Sequence, residues 1–566
     1  MNAFISSPLH LPSKTFVVGL FWTLLCLSPS LWAQQEETNT NQGLNLGTLT
    51  GNLQSDFRYY RKDSLINAEQ PPEKIGSNNY LQLNYQRGNF RAGIRYEGYF
   101  PPLLGYPNNL RGNGLAHRFV GYSVGGLDVT AGHFYEQFGN GLVLRLQEDR
   151  FIGIDNAIDG LRVKYNFNDA VYLTGLVGKI RNGFLGLSEG TVRAVNADVY
   201  VSNFFPAPEN GTRNLTLSVG GSYVSKYEPY LGTRDYISEN IAAYSGRAAL
   251  KFFNFSVDME AAYKEGDPTR LNNYINKSGS AFLLNMNYSA KGLGLSFSAK
   301  RIDNMDFRAE RTAIDNVMFI NFVPANTRQH TYRLLTLYPY AAQQVAGEWG
   351  FQGEMVYTLP KNSVLGGKYG TTVMVNYATA RNLTTRALPD ERGYEAEPFL
   401  IGEKVYYQDF NIEINRRWNK KLRTIFMFAK LDYDKDQIEG RTGYGLVKST
   451  TVIGEVQYKI SKKTALRVEL QHMSTEQDFG NWAYALAELT FAPNFSFYVA
   501  DEYNYVSGDY TGTRKHYYDF GAAYVKGGNR FAISYGRQRA GLLCVGGICR
   551  IVPASSGFSF SINSTF

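Results

Sequence analysis

Gly557-Phe558-Ser559-Phe560-Ser561-Ile562-Asn563-Ser564-Thr565-Phe566 closes the chain. Successive side chains of an extended strand point to opposite faces, so Phe558, Phe560, Ile562 and Phe566 share one face, with Ser564 the only gap. Ser559, Ser561, Asn563 and Thr565 share the other. One face suits hydrocarbon and the other suits water. A soluble β-sandwich uses such a strand with its polar face in solvent, and a membrane barrel uses it with its apolar face in lipid. The ten residues alone do not separate the two.

The same alternation recurs along the chain. Leu81, Leu83 and Tyr85 oppose Gln82, Asn84 and Gln86; after the turn at Gly88-Asn89, Phe90, Ala92, Ile94 and Tyr96 oppose Arg91, Arg95 and Glu97. Phe255, Val257, Met259, Ala261 and Tyr263 oppose Asp258, Glu260 and Lys264, and Leu466, Val468 and Leu470 oppose Arg467, Glu469 and Gln471. Charges always fall on the polar face. Short connections, among them Gly125-Gly126, Asn168-Asp169, Lys291-Gly292, residues 360–363 and Gly527-Gly528, alternate with long polar segments such as residues 101–114, 227–239, 303–341 and 381–397. Pairing each short turn with its flanking strands gives about 24 strands, within roughly 20–26. So long a series, with connections short at one end and long at the other, predicts an all-β fold: a transmembrane antiparallel up-and-down β-barrel with short periplasmic turns and long extracellular loops.

Composition agrees. No apolar run after residue 34 approaches the roughly 20 residues that a membrane helix needs, so strands are the remaining way across. The chain of 566 residues carries 41 Tyr, 36 Phe and 56 Gly against 3 Cys, and its mean hydropathy is negative. A barrel needs apolar residues on one strand face only, which keeps that average low. Residues 1–33 read as a secretory signal peptide, with Lys14 ahead of the apolar run 15–27 and a cleavage site at Leu31-Trp32-Ala33. Residues 34–43 read as a short periplasmic lead and residues 44–566 as a single barrel domain, with no separate folded domain ahead of the first strand. The formal charge is +8, spread thinly and without a basic cluster, which excludes a nucleic-acid-binding role.

Cys544-Val545-Gly546-Gly547-Ile548-Cys549 reads as a tight hairpin with Gly546-Gly547 at its turn, which sets Cys544 opposite Cys549 at a separation a disulfide tolerates. Arg537, Arg539 and Arg550 flank it as a solvated basic rim within reach of lipopolysaccharide phosphates. Gly132-His133-Phe134-Tyr135-Glu136-Gln137-Phe138-Gly139-Asn140-Gly141-Leu142-Val143-Leu144-Arg145 is the second distinctive stretch; its glycines and aromatics suggest backbone in close approach, as in a loop folded into the lumen.

These two stretches, with Asp159-Gly160, Val552-Pro553 and the strand ending in Phe566, resemble an uncharacterised family of large outer-membrane β-barrel proteins from Bacteroidota. The resemblance covers essentially the whole mature chain and implies fold and outer-membrane location in a Gram-negative cell, with no assigned chemistry. The closing strand also resembles the carboxyl-terminal strand that the barrel-assembly machinery reads in such proteins, which would make Phe558, Phe560, Ile562 and Phe566 an assembly signal.

No catalytic, cofactor or metal spacing is present. His117, His133, His330, His472 and His516 are scattered, and two thiols are half a metal site. The expectation is a protein that is not an enzyme and needs no cofactor, with outer-membrane lipid, lipopolysaccharide and the assembly machinery as partners. Arg91, Arg95, Glu97, Asp258, Glu260, Arg467 and Glu469, on the polar faces, are the candidate lumen lining. Their mixed signs fit a porin-like passage for solutes without strong ion selectivity. The alternative is a loop-plugged barrel that acts as a scaffold, adhesin or export subunit, its charges paired as fillers. Residues 303–341 and 134–150 are the candidate inward segments, and their path decides between the two.

Overall fold

The computed structural model describes residues 46–206, 213–505, 514–545 and 548–566. The signal peptide, the lead through residue 43 and the Gly546-Gly547 turn lie outside these residues. Twenty-four strands form one antiparallel sheet. Its first strand, Thr48–Arg61, pairs with Ile75–Arg87 on one side and with the last strand, Ser555–Thr565, on the other, so the sheet closes on itself. Closure leaves no row of unpaired backbone groups, the condition for a sheet to sit in lipid. Elsewhere each strand pairs with its neighbours in the chain, except where a short hairpin is inserted. Glu148–Asp149 and Ile154–Asp155 stand between the paired barrel strands Leu127–Phe134 and Ile158–Phe167. Gly541–Val545 and Ile548–Val552 stand between Asn529–Gln538 and the last strand.

The alternation in the sequence becomes two surfaces. On the outer face, Val120, Val195, Leu470, Val499 and Ile533 are 50–59 % exposed, among many other large apolar side chains along the strands, and an apolar surface of that extent marks contact with lipid or another protein. At the closing seam Tyr59 faces Phe558 and Phe57 faces Phe560, their rings 6.4 Å apart in the second pair. Phe566 continues the pairing: its N–H donates to the Gly51 carbonyl at 3.0 Å and its carbonyl accepts from Gly51 N–H at 2.7 Å. A Cβ on Gly51 would lie 2.3 Å from the Phe566 ring, so the missing side chain is what lets the ring lie over the strand.

Turn chemistry sets one end of the cylinder. Asn168 and Asp169 both take positive φ, at 50° and 55°, as a two-residue hairpin of matching twist requires. Two connections differ from the sequence expectation. The turn placed at residues 360–363 extends to residue 370, because Ser363 and Gly367 bridge to each other before the next strand begins. The polar segment 381–397 is mostly strand: Thr371–Ala387 and Tyr394–Arg417 are 17 and 24 residues long, joined by residues 388–393. Crossing a bilayer takes about 9–11 residues per strand, so this hairpin stands well above the rim, where polar residues suit both faces. Its pairing slips between Leu383↔Ile401 and Thr385↔Ala396, which pushes out Phe399, 87 % exposed.

The packed core lies inside the cylinder. Ile180, Val192, Val224, Ile241, Leu283 and Ile302 come from barrel strands, are at most 2 % exposed, and join one cluster with residues of two inward loops. The expectation that the inner face is uniformly polar fails here. These strands carry apolar residues on both faces near the loop end because the inner one meets protein rather than water.

Candidate functional site

After the strand Leu127–Phe134 the chain turns into the lumen. Phe138, Leu142, Val143 and Leu144 are at most 1 % exposed. Gly139 has φ +52°, and a Cβ there would sit 2.5 Å from Glu260 Oε2. Glycine is what allows this approach. It lets the Asn140 N–H donate to Glu260 at 2.6 Å and Asn140 Nδ2 donate to Asp258 at 3.1 Å.

The second inward segment, residues 304–347, crosses the first. Asn321 Nδ2 donates to the Leu142 and Met305 carbonyls, both at 2.8 Å, and Arg145 N–H donates to the Ile320 carbonyl at 2.8 Å. Met305, Phe307 and Ile320 are fully buried with Leu142 and Leu144 against the apolar wall. On another side Leu334, Tyr338 and Tyr340 pack against Tyr407, Leu431, Tyr433 and Trp482.

Charged wall residues hold this plug. Lys264 Nζ donates to the Asp306 carbonyl at 2.6 Å; Lys300 Nζ donates to the Pro324 carbonyl at 2.6 Å and pairs with Glu348 at 2.7 Å. Both lysines are at most 1 % exposed. A buried ammonium is tolerable only with such partners. Arg328 pairs with Glu413 at 2.5 Å, His330 with Asp409 at 2.8 Å and Arg333 with Glu502 at 2.6 Å. The plug is thus tied to wall strands on several sides of the lumen.

The seven candidate lumen-lining residues stand on the inner wall, each with a partner. Arg91 pairs with Asp128 at 2.5 Å; Arg95 holds Glu97 at 2.6 Å, Glu148 at 2.9 Å and Asp155. Glu97 and Asp155 are shared with Arg181. Burial alone would raise the Asp155 carboxyl, but the Arg181 and Arg95 guanidiniums outweigh it and hold it at about 2. Asp258 and Glu260 carry the Asn140 contacts described above, and Arg467 pairs with Glu455 at 3.1 Å and with Glu469. Lys300, Arg181, Arg328 and Arg333 were not picked out by sequence, and Lys264 was placed on a polar face without a role. For Arg181, Arg328 and Arg333 the one signal is a cation of inward parity, or within a long loop, with no charge of opposite sign nearby in the chain; Lys264 and Lys300 lack even that, with Glu265 and Asp303 close by.

Cys544 and Cys549 are disulfide-bonded and directly opposite in the hairpin. The hairpin packs Val545 and Ile548 onto Ile152, Ile154 and Phe322 of the inward loops, and Asn316 Nδ2 donates to the Cys549 carbonyl at 2.5 Å. The flanking arginines do not form a solvated rim. Arg537 pairs with Asp63 at 2.6 Å, Arg539 with Glu502 at 3.0 Å, and Arg550 stacks over Tyr106 at 3.9 Å. The hairpin's inward packing brings each of them a partner. His330, His472 and His516 make separate contacts, and among the described residues no group of three or more His, Cys, Asp or Glu side chains is arranged to hold a metal.

The plug leaves a polar gap beside the wall. Between Arg333 and the strands Trp482–Phe491, Phe495–Asn504, Lys515–Lys526 and Asn529–Gln538 is a cavity of about 290 Å³, lined by Tyr484, Tyr498, Tyr517, Glu502 and Asp519.

Among solved structures, the P pilus usher PapC translocation pore aligns with a TM-score of 0.42 and 9 % identity over 92 % of this chain and 99 % of that one. The siderophore receptor PirA from Pseudomonas aeruginosa aligns with 0.41 and 10 % over 92 % and 81 %, and its counterpart from Acinetobacter baumannii with the same values. No curated protein matches the sequence. The match that covers nearly the whole chain is to a family of unknown function, DUF6029, over residues 14–566, and the chain belongs to that family.

Proposed function

We propose that the protein is an outer-membrane β-barrel of a Gram-negative cell, kept closed by its own loops, in which solutes pass only through a narrow path beside the plug. The observation that carries this reading is the burial of most of residues 304–347 within the lumen, gripped by Lys264, Lys300, Glu413, Asp409 and Glu502 of the wall. An unfilled barrel of 24 strands would be wider than porins and hold a large aqueous hole. The plug removes that hole and leaves the tyrosine-lined gap, whose hydroxyls and mixed charges suit small polar solutes. In this placement the short turns face the periplasm, the outer belt meets lipid and lipopolysaccharide, and the strand ending in Phe566 is what the assembly machinery reads.

A second reading, a sealed barrel serving as scaffold or export subunit, is favoured by the apolar inner wall from Ile180 to Ile302, which binds the plug tightly. Planar-bilayer recording separates them. The purified full chain gives small, stable steps under the first reading and none under the second. A wild-type conductance as large as that of a variant lacking residues 306–345 would end both.

A further inference from the structure

We infer that the lumen holds a binding site for a small organic anion, between the wall strands Phe90–Tyr99, Gly112–Val124 and Leu127–Phe134 and the first inward loop. The inference stands whether or not a solute crosses the barrel, and rests on a cavity the plug does not fill.

The cavity is about 350 Å³, within the range of small-molecule sites. His117 is 6 % exposed and lines it, yet neither of its ring nitrogens has a hydrogen-bond partner within the protein. An imidazole carries at least one N–H in any protonation state. Burying that donor unpaired is unfavourable, and native structures rarely do it without a bound partner. Arg162 Nε, also on the lining residues, is buried and unpaired in the same way.

The chain takes a backbone irregularity to bring a second histidine here. Gly132 pairs with Phe119 across the strands, so strict alternation would send His133 to the opposite face from both. Gly132 instead adopts φ +101°, a conformation glycine reaches cheaply, and His133 lines the cavity with its ring 4.8 Å from that of His117.

The lining names the ligand class. Arg91, Arg95, Arg150 and Arg162 border the space, against the single carboxylate of Glu148. The other carboxylates that neutralise these arginines, Asp128, Glu97, Asp155 and Glu136, are not on the lining. Most N–H groups of these arginines are already bonded within the protein, and the donors left at the cavity, a His117 ring N–H and Arg162 Nε–H, suit a carboxylate or phosphate. Phe119, Phe134 and Tyr135 supply flat apolar walls for the rest of the molecule.

The test is calorimetric titration of the full chain in detergent with phenyl phosphate, and with benzyl alcohol as the uncharged control. Saturable binding of phenyl phosphate alone is expected. His117→Phe, which keeps ring bulk and removes both nitrogens, is expected to weaken it by roughly tenfold or more, with folding checked by heat-dependent gel mobility. If that variant does not fold, His117→Leu, which also carries no donor or acceptor, is titrated in its place. No saturable heat, equal binding of benzyl alcohol, or unchanged affinity in a folded His117 variant would overturn the inference.

Discussion

Between the strands Ile158–Phe167 and Leu293–Asp303 the wall meets the plug with Ile180, Val192, Val224, Ile241, Leu283 and Ile302. Between Trp482–Phe491 and Asn529–Gln538 it meets the plug with Tyr484, Tyr498, Tyr517, Glu502 and Asp519, and leaves space. The strands are alike in length, pairing and outward face, so the difference lies wholly in the inward residue of each dyad. One side is sealed as a protein core is sealed, by excluded water and close packing. The other is held by ion pairs beside a polar gap. Under the proposed reading, the route for solutes belongs on the second side.

The comparison breaks most visibly if the plug is removed. Replacing residues 306–345 by a short Gly/Ser linker is expected to raise single-channel conductance by roughly tenfold or more, since a barrel of this width is otherwise hollow. On the sealed side, Phe307→Ala should cost about 3–5 kcal/mol, read as faster amide hydrogen exchange in residues 304–347 with the barrel strands unchanged. Lys300→Met leaves the Glu348 carboxylate buried without its cation and should loosen the same amides by about 3 kcal/mol, at the low end because Tyr340 and the Gln343 N–H still donate to it. Equal exchange in wild type and either variant would mean that the apolar side does not anchor the plug.

Acid should act on the first inward loop. Asp155 is depressed from 3.8 to about 2, so its pairing with Arg181 and Arg95 contributes fully above the unfolded value and is lost as pH falls through the folded one. Amides of residues 134–157 should therefore stay protected at pH 4 and open as the pH approaches 2; opening already at pH 4 would refute the pairing. The smallest effect belongs to the side of the polar gap. Tyr498→Phe removes the hydroxyl that donates to Asp519 at 2.8 Å, worth about 1–2 kcal/mol. It should change the small conductance without speeding exchange in residues 304–347. If it speeds that exchange, the two sides are not independent.

The cylinder was legible because a strand in lipid has one physical constraint per face, and dyads such as Leu466-Arg467-Val468-Glu469 state it locally. The first inward loop was legible for a related reason: Gly139 and Gly141 beside Leu142-Val143-Leu144 break both the dyad and the polarity expected of a surface loop. The seal was not. Val224 and Ala243 face inward from strands whose outward residues, Tyr223 and Tyr244, are apolar too, and a dyad apolar on both faces says nothing about which side meets protein. The His117 cavity was also hidden, because it depends on one φ angle at Gly132 and on pairings with Asp155, Glu97 and Arg181 that are remote in the chain.

The hairpin of Thr371–Ala387 and Tyr394–Arg417 gives the molecule an off-centre mast. Its tip, Asp390 to Arg392, is exposed and well removed from the lipid belt. A peptide epitope inserted between Asp390 and Glu391 should therefore leave the barrel intact. Antibody staining of unpermeabilised cells would then report directly which end of the cylinder looks out of the cell.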